Sequence, residues 1–578
     1  MGLKQIIKLF VYYINNMAEQ TITATPVNAP DILMNQPLTR QVDVDIESTI
    51  LEPVSHRYTS ASGGRTTFNL PPKGVLDAPN ASIVCSLTSD EGNGLVGYNF
   101  TSGGLGLVNR VTARCGGIII SQVEQAGQYG WIKTNFMSQG VKEGVMDARH
   151  HSSSNVELSV AQAKIATSSV TQEFHQIYNP ECDQVNTFGK TNVPTGANNL
   201  HQMQISKCLS DTATRPGATP EVVIRLADLF EIFEENKLPL LAMALVQIEI
   251  DWAPCGDPNL AAGATLDSAV IDSLIPTAAV NAAPAIARRG TVTMATPTML
   301  LDYIHYDDVE RQKIFDSVNT AGGMRLNFSE VLLTRGVNPR AFTNAEAIGG
   351  ANLVQQVQSN HILGMAGKEV KKIYITKQYD LRSPRGVAES NADFNQVKNH
   401  RNVLTNQYKS TQMPGESYNF LINNARVYDR DVENVMVQHD YLSQCKNNYA
   451  IPNIYYDTAN YNANKMKVAL DCSWVNGGRV QDINQGRTHR YLCGSQHVIG
   501  LNLDKVNSMG SVEGNGTRIG SSPIELNYSR LAIIPGARQG ADANGTTDGQ
   551  SAEVNLDIYI VYRRSLIIRS LGVDTSDA

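Results

Sequence analysis

The chain has 578 residues, of which 42% are apolar and 18% charged, so it can bury substantial cores and is not a disordered protein. Its length exceeds what one core usually organises, and two large domains are the natural division. The net charge of −7, from 48 basic and 55 acidic residues, argues against a protein whose main surface binds nucleic acid. No direct sequence-specific nucleic-acid binding is therefore expected.

Residues 1–38 are predicted to form an N-terminal arm. Its most apolar stretch, Ile6 to Ile14, is shorter than the roughly 18–20 apolar residues that a membrane span needs. Three interpretations are open for this stretch. It is a flexible or helical arm, with Met17 as an alternative start, or an amphipathic strip that touches a partner or a lipid surface, or a secretory signal, although no small-residue cleavage site follows it.

Alternation of apolar and polar residues dominates the rest of the chain and predicts strands with one buried face. The three clearest runs, each given with its apolar set, are QVDVDIE (Val42, Val44, Ile46), VQIEIDW (Val246, Ile248, Ile250, Trp252) and EVNLDIYIVY (Val554, Leu556, Ile558, Ile560). Further strands are predicted over 82–87, 110–115, 221–226, 370–376 and 524–530, and short helices over 123–136, 226–236 and 307–318. Many strands and few short helices indicate an all-β sandwich or jelly roll.

The two halves of the chain resemble each other in order. LDYIHY, residues 301–306, and LDIYIVY, residues 556–562, each end a long β segment, and each follows a low-complexity loop. The sequence therefore predicts a first β domain over 39–306, a helical connector over 307–321 and a second β domain over 322–578. Asp307 and Glu310 form a D-x-x-E start that resembles a capping box for the connector helix.

A glycine pattern is the first of two chemical motifs. Gly92, Gly94 and Gly97 in EGNGLVG match the spacing of a dinucleotide-binding loop. That loop needs a helix directly after it, so that backbone N–H groups meet the pyrophosphate, and no helical period follows here. The position of the glycines between two predicted strands favours an ordinary glycine-rich connection.

The second motif is a metal-like cluster of Asp302, His305, Asp307 and Asp308. A helix cap already accounts for Asp307, and on a strand Asp302 and Asp308 would lie far from a common point, so a structural role is favoured. No catalytic, cofactor-binding or metal-binding residue is assigned, no cofactor is expected, and the chain is predicted not to be an enzyme.

Cysteines and the basic residues near the end carry weaker signals. The eight cysteines are scattered without a C-x-x-C pair, which favours reduced thiols over a disulfide scaffold. Arg563, Arg564 and Arg569 either contact a neighbouring molecule or an internal layer, or are solvated charges that flank the final strand.

Five segments, taken in order, resemble the double jelly-roll major capsid proteins of virophages, polinton-like viruses and nucleocytoplasmic large DNA viruses. They are residues 104–132, 222–252, 299–315, 516–530 and 556–573. The resemblance implies two tandem eight-stranded antiparallel jelly rolls with short helices in the connections. It also implies a homotrimer, in which six barrels form a pseudo-hexameric capsomer that tiles an icosahedral shell around a double-stranded DNA genome.

The partners implied by this resemblance are neighbouring capsomers, penton and minor capsid proteins, and an internal membrane or protein layer reached through the N-terminal arm. The implied location is the virion capsid, assembled in the host cytoplasm or a viral factory. Residues 256–290 and 380–420 are expected to be loops at the top of the capsomer or at its seam.

The alternative is a β-sandwich carbohydrate-binding or host-attachment protein. Such a protein needs exposed aromatic platforms for sugar rings. The chain has three tryptophans, Trp131, Trp252 and Trp474, and Trp252 lies on the apolar face of a predicted strand.

Overall fold

A computed structural model of the chain describes residues 25–34, 41–59, 62–89, 96–98, 103–134, 149, 221–253, 270–272, 292–339, 353–379, 415–445, 498–504, 516–534, 553–570 and 572–577. Strands dominate these residues, as the alternation of the sequence predicts. The described residues include the whole predicted connector, 307–321, all four residues of the metal-like cluster and one glycine of the glycine pattern, Gly97.

The first half of the chain contributes strands β1 to β14. Their bounds are β1 Val27–Asn28, β2 Val44–Leu51, β3 Ser55–Thr59, β4 Gly63–Leu70, β5 Val75–Leu76, β6 Ser82–Ser89, β7 Val96–Tyr98, β8 Val108–Cys115, β9 Ile118–Glu124, β10 Glu221–Arg225, β11 Val246–Trp252, β12 Val270–Asp272, β13 Val292–Met294 and β14 Thr298–Tyr306. The strands predicted over 82–87, 110–115 and 221–226 are confirmed as β6, β8 and β10.

The second half contributes strands β15 to β24. They are β15 Met324–Asn338, β16 Leu353–Gly364, β17 Glu369–Tyr379, β18 Ser417–Ile422, β19 Ala425–Arg426, β20 Ile499–Asn502, β21 Thr517–Arg518, β22 Ile524–Ile534, β23 Val554–Arg569 and β24 Gly572–Asp577. The strands predicted over 370–376 and 524–530 are confirmed as β17 and β22. The expectation of a loop over 380–420 is wrong at its end, where β18 begins; residues 380–414 lie outside the described part of the chain.

The α-helices of the described residues are α1 Ala126–Thr134, α2 Leu226–Leu229, α3 Glu231–Glu235, α4 Asp308–Val318 and α5 Val435–Ser443. The first four fall inside the three predicted helical stretches, whereas α5 has no counterpart among the predictions. Within the described ranges, none of these helices has the length and apolarity that crossing a membrane requires.

The first eight-stranded unit, called the first barrel, consists of β2, β4, β6, β8, β9, β10, β11 and β14. Numbered one to eight along the chain, these strands form two sheets with the orders 1-8-3-6 and 2-7-4-5. In each sheet the neighbouring strands run antiparallel. This order is a jelly roll, in which distant parts of the chain alternate within each sheet.

The second barrel repeats this topology with β15, β16, β17, β18, β19, β20, β22 and β23. Their sheets have the orders β15-β23-β17-β20 and β16-β22-β18-β19, which are again 1-8-3-6 and 2-7-4-5. The all-β fold of two tandem jelly rolls predicted from the sequence is therefore present in the strand order of this chain.

The core of the first barrel shows why the alternating runs form these strands. Along β11, every second side chain is buried, from Val246 to Trp252, and the residues between them are half-buried. Strand β11 is central, pairing with β4 on one side and β8 on the other. The indole N–H of Trp252 donates to Thr66 Oγ1 at 2.7 Å, so its one polar atom is satisfied inside the core. The prediction for VQIEIDW is confirmed.

Strand β23 differs from its prediction because both of its faces are buried. Leu556, Ile558 and Ile560 enter the core of the second barrel, as expected. The opposite face is also covered: Tyr559 is 0% exposed and Val561 3%. These two side chains join the apolar cluster of the first barrel, so the tertiary structure gives β23 two cores rather than one.

The N-terminal arm and the connector tie the barrels to each other. Strand β1, inside the predicted arm, pairs in parallel with the start of β15, so Val27 lies opposite Met324 in the second barrel. Helix α4 follows the last strand of the first barrel, and Asp307 is its N-cap, accepting from the backbone N–H of Glu310 at 2.9 Å. The predicted cap is confirmed.

Candidate functional site

The two barrels meet at a buried interface. Strand β9 and helix α3 of the first barrel contact β15 of the second barrel. Phe328, Val331 and Tyr374 of the second barrel belong to the same continuous apolar cluster as the first barrel's own core. A separate cluster fills the second barrel. The barrels are thus joined by a core-like contact and not only by the connector.

Helix α1 supplies the aromatic centre of this interface. The ring of Tyr129 lies 5.7 Å from that of Tyr559 and 6.5 Å from that of Tyr374, measured between centroids. Beside it, the Tyr559 hydroxyl donates to Gln128 Oε1 at 2.7 Å, and Gln128 Nε2 donates to Thr376 Oγ1 at 3.0 Å. Tilted aromatic pairs with satisfied polar ends combine apolar burial with a fixed geometry.

Glu330 of β15 is a carboxyl group buried at the interface. Ser121 Oγ donates to its Oε1 at 3.0 Å and the backbone N–H of Gln122 at 3.1 Å, both from strand β9 of the first barrel. The guanidinium of Arg564 lies 3.6 Å from Oε2. Burial raises the Glu330 pKa to about 7, and these donors only partly oppose that effect.

Arg564 also crosses the interface. Its Nη1 donates to the carbonyl oxygen of Ile120 at 3.0 Å, and its Nη2 donates to Thr575 Oγ1 at 2.9 Å. Arg563, one residue earlier, pairs with Glu369 at 3.2 Å. The interpretation of these two arginines as solvated charges is therefore wrong, because Arg564 donates to β9 of the first barrel and Arg563 pairs with Glu369 of β17 in the second. Arg569, at the end of β23, is exposed.

A second carboxylate crosses from α3 of the first barrel. Glu235 accepts from the backbone N–H and from the hydroxyl of Ser329, each at 2.7 Å. Lys371 Nζ lies 3.8 Å from Glu235 and donates to Ser329 Oγ at 2.9 Å. Next along the chain, Asn236 Nδ2 donates to the carbonyl oxygen of Asn327 at 3.0 Å. Such directional contacts fix the angle between the barrels in a way that apolar packing alone does not.

Lys133 of α1 forms ion pairs with two glutamates beside this interface. Its Nζ lies 2.6 Å from Glu231 and 2.5 Å from Glu234, and the Tyr129 hydroxyl donates to Glu231 at 2.6 Å. Burial would lower the Lys133 pKa, but the two carboxylates outweigh it and raise that pKa. The same lysine outweighs burial at Glu231 and lowers the pKa of that carboxyl. The ammonium and the Glu231 carboxylate therefore hold each other charged.

A buried ionic group inside the second barrel was not predicted from the sequence. Lys377 and Glu416 are both 0% exposed, with 2.5 Å between Nζ and the carboxylate, and the Tyr528 hydroxyl donates to Glu416 at 2.6 Å. Burial lowers the Lys377 pKa to about 8 despite the facing carboxylate. Lys377 and Glu416 are 39 positions apart in the chain, and no sequence pattern predicts that they meet.

The four residues of the metal-like cluster each interact with a different partner. Asp302 accepts from Ser48 Oγ at 2.6 Å, and His305 Nε2 lies 3.1 Å from Glu47. Asp307 caps α4, and Asp308 pairs with Arg311 at 2.7 Å. Over the described residues there is no group of three or more His, Cys, Asp or Glu side chains arranged to hold a metal ion.

The glycine pattern lies mostly outside the described residues, which include neither Gly92 nor Gly94. Gly97 is described and lies in the short strand β7, paired with β12 opposite Ile271. The position therefore belongs to a strand and not to the start of a helix, which the dinucleotide-binding loop requires.

The described cysteines are buried thiols. Cys85, Cys115 and Cys445 are free. Burial raises the pKa of Cys85 and Cys445 to about 12 and that of Cys115 to about 11. Protonated thiols of this kind are poor nucleophiles and pack as small apolar side chains.

The outward face of β2 and β14 differs from its prediction. Alternation predicts that Val42, Val44 and Ile46 point into a core. Val42 packs against the core of the first barrel, but Val44 and Ile46 are 44% and 68% exposed. The two residues do lie on one face, but it is the outer face of the sheet. The same face of the first barrel carries Ile50, which is 70% exposed, and Leu300, which is 38% exposed and lies directly opposite Ile50.

Comparisons with known proteins give structural similarities at low sequence identity. No family model matches the chain. No curated protein sequence matches it either. The PBCV-1 virus capsid is similar at a TM-score of 0.45 and 12% identity, covering 94% of this chain and 99% of that one. The Sputnik virophage structure gives 0.44 and 12%, covering 96% and 93%. The Faustovirus major capsid protein gives 0.45 and 9%, covering 93% of each chain.

Proposed function

We propose that this chain is the major capsid protein of a double-stranded DNA virus. Three copies associate into a pseudo-hexameric capsomer, and the capsomers tile an icosahedral shell around the genome. The observation that carries the proposal is the pair of jelly rolls with identical strand order, joined side by side through a buried interface. The resemblance of five ordered sequence segments to double jelly-roll capsid proteins supports it.

The physical reason lies in the geometry of tiling. A chain that holds two equivalent barrels side by side supplies two of the six positions of a hexagonal outline, so three chains complete it. Barrels also expose few free sheet edges, which limits uncontrolled strand pairing at the high local concentration of a shell. Closed symmetry then defines the unit of assembly, and weaker lateral contacts allow many units to join.

In this proposal residues 39–306 and 322–578 are the two jelly-roll domains, 307–321 are the connector and 1–38 are an arm. The partners are further copies of the chain, neighbouring capsomers, and penton and minor capsid proteins. The arm reaches an internal membrane or protein layer, and the protein resides in the virion capsid. It acts as a scaffold and needs no cofactor. Its buried charged groups form structural contacts between and within the barrels.

The carbohydrate-binding alternative has less support. Trp131 and Trp252 are each 2% exposed, so neither offers a ring for stacking against a sugar. Trp474 lies outside the described residues. Glycan-array binding by a protein that stays monomeric would favour this alternative over a capsid role.

The proposal is tested by the oligomeric state and shape of the purified chain. We expect native mass spectrometry to give three times the 63.0 kDa mass of the chain. Negative-stain microscopy is expected to show blocks of hexagonal outline with threefold averages. A protein that is folded by circular dichroism but only monomeric across a range of salt and concentration would contradict the proposal.

A further inference from the structure

Lys377, Glu416 and Tyr528, called the buried triad, meet between the two sheets of the second barrel. Lys377 lies on β17 and points to the same side as its cross-strand partner Leu556, whose side chain is in the core. Glu416 directly precedes β18, and Tyr528 lies on β22, the neighbour of β18 in the opposite sheet. The side chains of Lys377 and Glu416 are 0% exposed, and Tyr528 is 1% exposed. The triad therefore connects the two sheets inside the barrel.

The geometry of the triad brings a nucleophile next to a carboxyl carbon. Lys377 Nζ lies 2.5 Å from each of the two carboxylate oxygens of Glu416. A nitrogen equally close to both oxygens lies beside the carbon that joins them. The Tyr528 hydroxyl donates to Glu416 Oε1 at 2.6 Å, and a donor to this oxygen makes the carbon more electrophilic. Groups held together in this way react as if their concentration were about 10⁵–10⁸ M.

The surroundings of the triad favour its uncharged form. Burial lowers the Lys377 pKa to about 8, even though the Glu416 carboxylate faces it. When one proton passes from Nζ to the carboxylate, both charges disappear from an apolar environment that solvates them poorly. The products of this transfer are a neutral amine, which is the nucleophilic form of lysine, and a carboxylic acid, which is the electrophilic form of glutamate.

We propose that Lys377 and Glu416 condense to an amide that cross-links the two sheets of the second barrel. The lone pair of Nζ forms the bond to the carboxyl carbon of Glu416. The bond from that carbon to Oε2 breaks, and Oε2 leaves as water with two protons from the ammonium group. Oε1 remains as the amide oxygen and keeps its hydrogen bond from Tyr528. The step needs no oxidant or reductant, and it closes a ring between positions 39 apart in the chain.

A second lysine, glutamate and tyrosine in this chain serve as an internal control. Lys133 Nζ lies 2.6 Å from Glu231, and the Tyr129 hydroxyl donates to Glu231 at 2.6 Å, so the residue types and distances are the same. Lys133 also contacts Glu234 at 2.5 Å. Burial opposes the charge of Lys133, but the two carboxylates outweigh burial and raise its pKa. The ammonium form has no lone pair to attack with, so this group stays an ion pair.

The first test is mass spectrometry of the full-length, unmodified protein after denaturation. We expect a mass that is lower than the sequence mass by one water molecule. A tryptic digest should contain a branched peptide that joins the segments of Lys377 and Glu416, with no cleavage after Lys377. In the same digest Lys133 and Glu231 should occur in unlinked peptides. Because the chain is denatured, the result does not depend on whether the protein forms a trimer.

Variants test the roles of the individual groups. K377R keeps the positive charge but removes the amine, and we expect the full sequence mass. Y528F keeps the ring and removes the donor to Oε1, so cross-linking after synthesis should slow at least about 100-fold. Y418F is the matched control, because Tyr418 is the cross-strand partner of Tyr528 and is equally buried, at 1% exposed. It should cross-link at the unmodified rate, and circular dichroism establishes that each variant is folded.

The proposal is overturned if the folded, unmodified protein has the full sequence mass and yields Lys377 and Glu416 in separate peptides. A loss of water that maps to any other pair of residues overturns it as well. Neither outcome bears on the capsid role, which is judged by the oligomeric state and shape of the protein.

Discussion

Glu330 illustrates how one side chain acquires its properties from its place between the barrels. Two donors from β9 and the guanidinium of Arg564 surround it, yet burial dominates and its pKa rises to about 7. In the sequence it stands in NFSEVLL, where alternation gives no sign that a carboxyl group is enclosed. The residue could be identified only from contacts between segments about 200 positions apart.

We predict that Glu330 makes stability depend on pH. The folded protein keeps this proton up to about pH 7, whereas the ordinary pKa of the group is 4.5. The folded state therefore binds more protons between these values, so the stabilisation is complete below the lower value and is lost as the pH rises through the upper one. In E330Q the melting temperature should vary less between about pH 5 and pH 8, a difference worth up to about 3 kcal/mol.

The matched control for this measurement is E525Q. Glu525 lies on the outer face of β22 and is half-buried, with Asn360 Nδ2 donating to it at 3.3 Å. Its pH profile should follow that of the unmodified protein. An E330Q profile that also follows the unmodified protein would show that Glu330 has an ordinary pKa in the folded state.

At the scale of elements, similar sequence patterns lead to different environments. Strands β2, β11 and β23 all alternate, but only β11 has one buried and one half-buried face as expected. The face of β2 that carries Val44, Ile46 and Ile50 is exposed, and β23 is buried on both faces. Alternation states which residues share a face of a strand, and it does not state what packs against that face.

The connector helix α4 is the element that sequence reasoning described best, because a cap is a local interaction. We predict that D307A destabilises the protein by about 1 kcal/mol, since the backbone N–H of Glu310 loses its acceptor at the start of the helix. D308A is the control, because the Asp308 side chain is 90% exposed and pairs with Arg311 in the first turn. Equal melting temperatures for the two variants would show that the cap contributes no stability.

At the scale of the whole molecule, the two barrels behave as one unit in this structure because their contact is both apolar and polar. Tyr559 contributes to both, through its ring against Tyr129 and its hydroxyl on Gln128. The preceding residue, Ile558, points into the core of the second barrel instead. These two adjacent positions of β23 can therefore be tested separately. Tyr559 reports on the coupling between the barrels, and Ile558 reports on the stability of the second barrel.

We predict that Y559A uncouples the barrels and that I558A does not. Removing the large aromatic side chain should cost about 3–5 kcal/mol at the interface, whereas truncating isoleucine should cost about 2–5 kcal/mol in one barrel. Differential scanning calorimetry should show two separated transitions for Y559A and a single, lowered transition for I558A. A single transition for Y559A would mean that the interface is not what makes the barrels unfold together.

Local sequence patterns predicted the class of the fold, the position of most strands, the helix cap at Asp307 and the order of two similar halves. These features depend on neighbours in the chain: alternation follows from the pleat of a strand, and a cap needs only residues three positions apart. Only the tertiary contacts show that β23 contributes to two cores, that Glu330 and Arg564 of the second barrel both contact β9 of the first barrel, and that the outward face of β2 and β14 is exposed. Those outcomes depend on which distant strands the jelly-roll order brings together, and residue periodicity contains no record of that pairing.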